Sequence, residues 1–358
     1  MLVRSVSEQE EGRRLDRFVM KMFPKAPSSL IYKAVRTKNI KVNGKRCSPA
    51  DRLRQGDILQ IYFSEERAAE LGYMGFDVSE PVFTEPVFTE PGIPPVPILY
   101  EDGKILAFNK PVGLLSQKDS PKSYSLSEYL LDYLSQKGEY HPRQNAGYRP
   151  GLCNRLDRNT SGIVIAAKTL AAAQAGNASI RSHEVEKVYI ALCHGQCTWK
   201  EERMLCHQWM KDPVHNQVKL EKDNGNPISK GERGAGMADP IKSMARAVAV
   251  NKEENVTLFR LRLITGKSHQ LRAQLAFEGF PILGDQKYHG TRTSSSSLHA
   301  KHQLLHAYQL RLRRVPDLLE DLREQTLTAP PPDDFQDILQ RVFPDWSSIL
   351  IDSGEKNV

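Results

Sequence analysis

Apolar positions along the chain alternate between helical spacing and short strand-like blocks. Leu15, Phe18, Val19 and Met22 stand at the i, i+3, i+4, i+7 positions of an amphipathic helix. Pro27-Ser28-Ser29 restarts the chain, and Leu30, Ile31, Ala34 and Val35 mark a second apolar face. Ile40-Lys41-Val42 reads as a short strand. It is followed by an Asn43-Gly44 hairpin turn and a further short strand, then a Gln55-Gly56-Asp57 turn into a strand over 58–63. Beyond this compact unit, the pattern predicts strands at 98–100, 105–109, 163–167, 188–193 and 256–263. Helices are expected at 126–136, 170–181 and 270–278. Strands interleaved with single helices predict an α+β fold: a large domain around a mixed, mainly antiparallel sheet, preceded by a small α+β unit. Residues 222–243 are polar and glycine-bearing and read as a mobile insertion, and 333–343 has the period of a helix packed on the surface.

Charge divides the same chain into parts. Residues 1–63 hold 14 Lys/Arg against 6 Asp/Glu, whereas 64–97 hold one Arg against seven acids. The second stretch carries a tandem repeat, Glu80-Pro81-Val82-Phe83-Thr84 then Glu85-Pro86-Val87-Phe88-Thr89, and its prolines favour an extended spacer. The expected division is a basic domain at 1–63, an acidic linker at 64–97, a large domain at 98–325 and a tail with a short helix at 326–358. Lys33, Arg36, Lys38, Lys41, Lys45 and Arg46 fall on and beside the second helix and form one basic surface, the footprint of a polyanionic partner. No apolar run approaches the ~18 residues of a membrane span. The N-terminus lacks an apolar signal region, and five cysteines do not make a disulfide framework. A cytoplasmic monomer is the expectation.

The candidate chemistry lies in Asn154-Arg155-Leu156-Asp157-Arg158-Asn159-Thr160-Ser161-Gly162. A polar turn running into an apolar strand fixes side chains in place, and flanking guanidinium groups keep a carboxylate ionised, as a nucleophile or base requires. Taken alone, Asp157 fits a structural ion pair as well. Cys193, Cys197, Cys206 and His207 lack the paired spacing of a zinc site and are set aside, so no metal is expected. His299, His302 and His306 fit a partly exposed helix face.

This segment resembles the catalytic signature of the RluA family of RNA pseudouridine synthases. Further blocks follow in the family's order: Asn109-Lys110-Pro111-Val112-Gly113, Lys187-Val188-Tyr189-Ile190-Ala191-Leu192, Thr265-Gly266-Lys267-Ser268-His269-Gln270-Leu271-Arg272 and Leu304-Leu305-His306-Ala307. The resemblance implies isomerisation of uridine to pseudouridine in structured RNA, large-subunit ribosomal RNA first and transfer RNA second, with no cofactor; a non-catalytic RNA-binding or ribosome-assembly factor that keeps the fold is the alternative. It implies that Asp157 is the essential carboxylate, Arg272 its ion-pair partner and Tyr189 the active-site tyrosine. It further implies that Arg155 fills the gap left by a flipped base. Leu305 is a wall of the uracil pocket or a core leucine; Lys267 and Gln270 contact RNA or brace the loop. One departure is plain: Asn154 stands where the family usually has His. Residues 11–63 are similar to the αL-type RNA-binding domain, through Arg14-Leu15-Asp16-Arg17-Phe18, Val42-Asn43-Gly44-Lys45 and Gly56-Asp57.

Overall fold

The computed structural model describes residues 2–7, 10–73, 95–121, 123–141, 148–212, 217–222, 239–288, 298–313 and 317–355. Near the N-terminus, β1 (Leu2–Ser5), β2 (Ile40–Val42) and β3 (Ile58–Ile61) form an antiparallel sheet in the order β1-β3-β2. Two helices, α1 (Leu15–Met22) and α2 (Ser28–Arg36), bury against it the apolar positions that define their faces. Asn43 and Gly44 both take positive φ, 51° and 74°, as a two-residue turn of this kind requires. The chain after it does not continue as the expected strand. Asn43 instead accepts from the Ile58 amide at 2.8 Å and donates to Asp57 at 2.7 Å, so β2 pairs with β3.

The acidic linker does not begin at residue 64. Ser64 caps α3 (Glu65–Glu70) by accepting from the Arg67 amide, and Ala68 and Leu71 enter the same core as α1 and α2. Tyr73 then stacks on Phe23 with ring centroids 5.2 Å apart. The packed unit therefore extends through Tyr73, because three small or apolar side chains outweigh the local acidity. The tandem repeat lies outside the described residues.

The larger sheet has eleven strands. It starts from β4 (Ile98–Glu101), β5 (Ile105–Lys110), β6 (Gly151–Leu152), β7 (Ser161–Ala167) and β8 (Val185–His194). It continues through β9 (Arg203–Asp212), β10 (Gln217–Lys222), β11 (Asp239–Asn251) and β12 (Val256–Leu263), and closes with β13 (Leu305–Leu312) and β14 (Thr326–Thr328). The order is β10-β9-β11-β12-β8-β13-β7-β5-β4, with β14 beside β13 and β6 beside β7. All pairings are antiparallel except β13 with β7. The fold is α+β with a mixed sheet.

Both faces of this sheet are covered, which explains why β7 is buried at every position and reads as a continuous apolar block. Leu106, Phe108, Val164, Ala166, Phe259 and Leu261 point to one face, under α4 (Leu126–Gln136) and α6 (Gln270–Phe277). Ile105, Ala107, Ile163 and Ile165 point to the other, under α5 (Leu170–Arg181). On that second face, α7 (Asp333–Val342) covers Ile190, Leu192 and Leu258 with Phe335 and Leu339, and α8 (Trp346–Glu355) adds Leu350. The tail is thus a layer of the fold, with one strand and two helices where a single short helix was expected. The polar stretch 222–243 is also corrected at its end: residues 239–243 belong to β11, whose alternation of polar and apolar residues suits a strand near the sheet edge. Residues 223–238 lie outside the described residues.

Parallel pairing of β13 with β7 requires close backbone contact. At Gly162, φ is 113°, and a Cβ there would lie 2.3 Å from the Ala307 carbonyl oxygen. His306 in β13 is fully buried and not on an exposed helix face as expected from the spacing of its neighbours. Its ring nitrogens meet Ser161 Oγ at 2.8 Å and the Ala329 carbonyl at 3.0 Å. A carbonyl accepts only, so Nε2 carries the proton and Nδ1 accepts from Ser161. This neutral ring ties the C-terminal layer to β7.

Burial pushes His306 down to about 4, with the Ala329 hydrogen bond opposing the shift. Between that value and the ordinary ~6.5, the unfolded chain binds a proton that the folded chain refuses, so stability falls as pH drops through this window. His306→Gln should remove most of that slope, up to about 3 kcal/mol between pH 6.5 and 4. Urea denaturation at closely spaced pH values is the check, and an unaltered slope would sink the assignment.

Candidate active site

Asp157 sits in the loop between β6 and β7, held from both sides. Ser116 brackets Leu156: its hydroxyl donates to the Leu156 carbonyl at 2.8 Å and accepts from the Leu156 amide at 3.0 Å. Lys110, at the end of β5, is fully buried, and its ammonium donates to the carbonyls of Pro111, Leu114 and Arg158 at 2.8, 2.8 and 3.1 Å. Burial pushes Lys110 down to about 7, and the nearby Asp157 charge opposes that shift. The Gly113 amide also donates to the Arg158 carbonyl, and the Asp157 carbonyl accepts from the Thr160 amide. Asn154 closes the loop on β7, donating to the Ile163 carbonyl at 3.1 Å and accepting from the Ile165 amide at 2.8 Å. The loop is therefore rigid at the residue that carries the carboxylate.

Arg272, in the first turn of α6, reaches this carboxylate from the opposite wall. Its Nη1 donates to Asp157 Oδ2 at 3.0 Å, while Nε and Nη2 grip Asp285 at 2.7 and 2.9 Å. Asp285 has 0% side-chain exposure, Arg272 7% and Asp157 28%, so the pair grades from a dry anchor to an accessible tip. Burial works against the Arg272 charge. The hydrogen bonds and charge of Asp285, joined by Asp157, outweigh it and hold the guanidinium above its ordinary value. Asp285 is presented by Gly284, whose φ of 75° and 2.1 Å clearance to the His302 carbonyl admit no side chain. The amides of Lys287 and Tyr288 donate to Asp285, and the Tyr288 ring lies under the guanidinium at 5.3 Å. His269 precedes α6 in the left-handed region and bonds the Tyr288 hydroxyl at 3.1 Å.

Tyr189, on the inner face of β8, is buried. Burial raises its hydroxyl above the ordinary value and the Asp157 charge adds to this, so it stays protonated. Tyr189, Leu305, Arg155, Lys267 and Gln270 line one cleft of about 910 Å3 with Asp157 and Arg272. Its wall carries seven Lys and Arg side chains and one carboxylate, Asp157, an electrostatic bias toward an anionic ligand.

The placements separate roles that sequence had merged. Arg155 is exposed at the mouth and bonds Gln117 at 3.0 Å, whereas Arg158 turns back to the Gly113 carbonyl. Gln270 is buried and its amide is used within the protein, on Thr265, Lys267, Lys242 and Gln274, so it braces the loop. Lys267 is exposed, with its ammonium over Trp209 at 5.5 Å. Lys33, Arg36, Lys38, Lys45 and Arg46 are exposed on the N-terminal unit, and Lys41 is half-buried over the Tyr62 ring at 5.2 Å; none of the six lines the cleft. Among the described residues, no group of three or more His, Cys, Asp or Glu side chains is arranged to hold a metal ion. Asp285, Ser116 and Tyr288 escaped sequence reasoning: no spacing rule connects positions 116, 157, 272 and 285.

A family profile described as RNA pseudouridylate synthase matches residues 104–277, the span that holds Asp157, Tyr189 and Arg272, and an S4 domain profile matches residues 13–59. The chain belongs to the RNA pseudouridylate synthase family. It is similar to ribosomal large subunit pseudouridine synthase C of Pasteurella multocida (strain Pm70), 29% identical over 325 residues that cover 89% of this chain and 88% of the relative. The protein of that description from Escherichia coli (strain K12) is 29% identical over 285 residues, 79% of this chain and 78% of the relative. The solved structure of human RNA pseudouridylate synthase domain containing 4 shares the fold, with a TM-score of 0.51 and 24% identity over 68% of this chain and 92% of that one. The chain is thus an RNA pseudouridine synthase with an S4 domain ahead of its catalytic sheet.

For this pseudouridine synthase, Asp285→Asn leaves Arg272 with one carboxylate in place of two. Stability should fall by about 3 kcal/mol, since one partner of a buried pair is lost. Turnover on an RNA substrate should fall roughly a hundredfold as Arg272 and Asp157 lose register. Thermal melting and single-turnover rates of the same variant measure both, and wild-type turnover would refute the anchoring role.

Proposed function

We propose that this enzyme isomerises specific uridines in large-subunit ribosomal RNA, acting as a cytoplasmic monomer, with Asp157 as the essential carboxylate. The observation that carries the reading is the accessible Asp157 held by Arg272 in a cleft whose other charged lining side chains, among the described residues, are cationic. Relatives named for the ribosomal large subunit support that RNA as the substrate. No described helix is long and apolar enough to cross a membrane, in keeping with work on RNA in the cytoplasm.

The reaction breaks the bond between uracil N1 and ribose C1′, turns the base and joins C5 to C1′. One proton leaves C5 and one is gained at N1, so atoms and electrons balance without a cofactor. The target base leaves its stack to reach the carboxylate, and Arg155 at the cleft mouth fills the gap it leaves. Asp157 attacks C1′ or removes a ribose proton; either route uses the carboxylate, and Arg272 orients it through its hydrogen bond. Tyr189 stacks on the uracil, and its hydroxyl, kept protonated, is available to donate a hydrogen bond during the turn. Leu305 forms an apolar wall of the same pocket. The basic face of the N-terminal unit holds RNA by its phosphates, giving affinity without reading sequence.

Two outcomes test this. Site-resolved pseudouridine mapping of RNA from cells lacking the protein should show a missing ribosomal site that wild type restores and Asp157→Asn does not. A missing transfer-RNA site would move the substrate, and an intact pattern with an inactive purified protein would end the catalytic reading. Replacing Arg36, Lys38 and Lys45 together by Gln should reduce the salt slope of RNA binding by about 2, given ~0.7–0.9 per phosphate contact. A slope equal to wild type would remove the N-terminal unit from RNA binding.

A further inference from the structure

Most cations on the cleft wall already have a partner. Lys118 faces Glu128 at 3.8 Å, Arg155 bonds Gln117, Arg158 bonds the Gly113 carbonyl, Arg272 holds two aspartates, and Lys267 lies over Trp209. Lys187 does not. It lines the cleft from β8, two residues before Tyr189 and on the same face of the strand, about 7 Å along it. Its side chain has no carboxylate or hydrogen-bond partner among the described residues, and burial alone lowers its pKa. Glu186, its chain neighbour, is on the other face and pairs with Arg313 at 2.6 Å.

An ammonium withdrawn from water without a counter-charge is unfavourable in the free protein, and its retention beside a catalytic tyrosine calls for an anion from outside. The turn that feeds β8 adds to the case. Arg181 at the end of α5 and His183 beyond it are exposed, line the same cleft, and have no side-chain partner among the described residues. A basic residue at a helix C-terminus has an ordinary explanation in the helix dipole. That explanation does not reach Lys187, which lies in a strand.

We propose that Lys187 is the inner anchor of a phosphate-binding wall, completed by Arg181 and His183 at the rim, that holds an RNA backbone phosphate next to the flipped uridine. The inference rests on an RNA substrate, as proposed above. Lys187 binds and does not react: it fixes the strand so that the ribose presents C1′ to Asp157 while Tyr189 holds the base.

The experiment measures affinity of the full-length protein for a fluorescein-labelled oligouridylate across a KCl series, together with turnover on the mapped RNA. Lys187→Met should weaken binding roughly tenfold at low salt, the scale of one hydrogen bond to a charged group. It should also flatten the log–log salt slope by about 0.7, one single-strand phosphate contact. Lys187→Arg should restore both, which a merely structural lysine would not require. Arg181→Gln, a change at an exposed side chain, should flatten the slope by about 0.7 as well and decides the matter if Lys187→Met does not fold. An unchanged slope in Lys187→Met or Arg181→Gln overturns the proposal. So does lost turnover with an unchanged slope, which would put the ammonium on the detached base. Failure of the enzymatic reading shows separately, as absent turnover in wild type, and leaves the binding measurement valid.

Discussion

Arg272 is the interaction on which the site depends, because one guanidinium serves two carboxylates with opposite needs. Asp285 is dry and takes two of its hydrogen bonds; Asp157 is partly open and takes one. A bidentate pair fixes both position and plane, so Asp285 determines where the remaining N–H points. That N–H then orients a carboxylate that stays partly exposed to the cleft. Ion pairing at an open tip is weak by itself. Its precision here comes from the buried end, and from Lys110 and Ser116 holding the loop on the other side of the cleft.

The sheet makes this meeting possible. Asp157 comes from the loop before β7, Arg272 from the start of α6, Tyr189 from β8 and Leu305 from the first position of β13, elements that converge because β13 runs parallel to β7 and antiparallel to β8. Covering both faces gives β7 and β8 little freedom to shift, and close-packed layers transmit such constraint. Gly162 allows β7 to approach β13 immediately beyond the loop that carries Asp157, and His306 fastens the same junction to the C-terminal layer. Residues far from Asp157 thus set the geometry of the cleft.

How much of this could be read from the chain follows from which interactions are local. Strands β5, β7, β8 and β12 and helices α4, α5 and α6 were legible because each buries an apolar block or periodic face in a two-sided core. Strands β9, β10 and β11 were not: they lie toward one end of the sheet, where polar residues alternate in and the pattern resembles a loop. The acidity around α3 hid a capped helix whose burial rests on Ala68 and Leu71. His306 was misplaced because its spacing to His299 and His302 fits a helix, while its burial arises from partners at positions 161 and 329. Asp157, Tyr189 and Arg272 could be named from motif resemblance, but Asp285 could not, since its meaning exists only once α6 and the turn after Gly284 have come together.

Asn154 shows why departure from a family pattern need not alter chemistry. Its side-chain amide sets a donor and an acceptor side by side on one planar group, and directs them to the Ile163 carbonyl and the Ile165 amide. Those backbone groups lie two residues apart on one edge of β7, the spacing that a pairing strand would address. The amide therefore extends the β6–β7 pairing by one more rung, at the point where the chain leaves β6 for the Asp157 loop. A neutral imidazole also has one donor and one acceptor, but on opposite sides of its ring, and it could not satisfy both groups in this way. With its hydrogen bonds directed into the protein, Asn154 sets the base of the loop. The neighbouring side chains of Arg155 and Asp157 line the cleft.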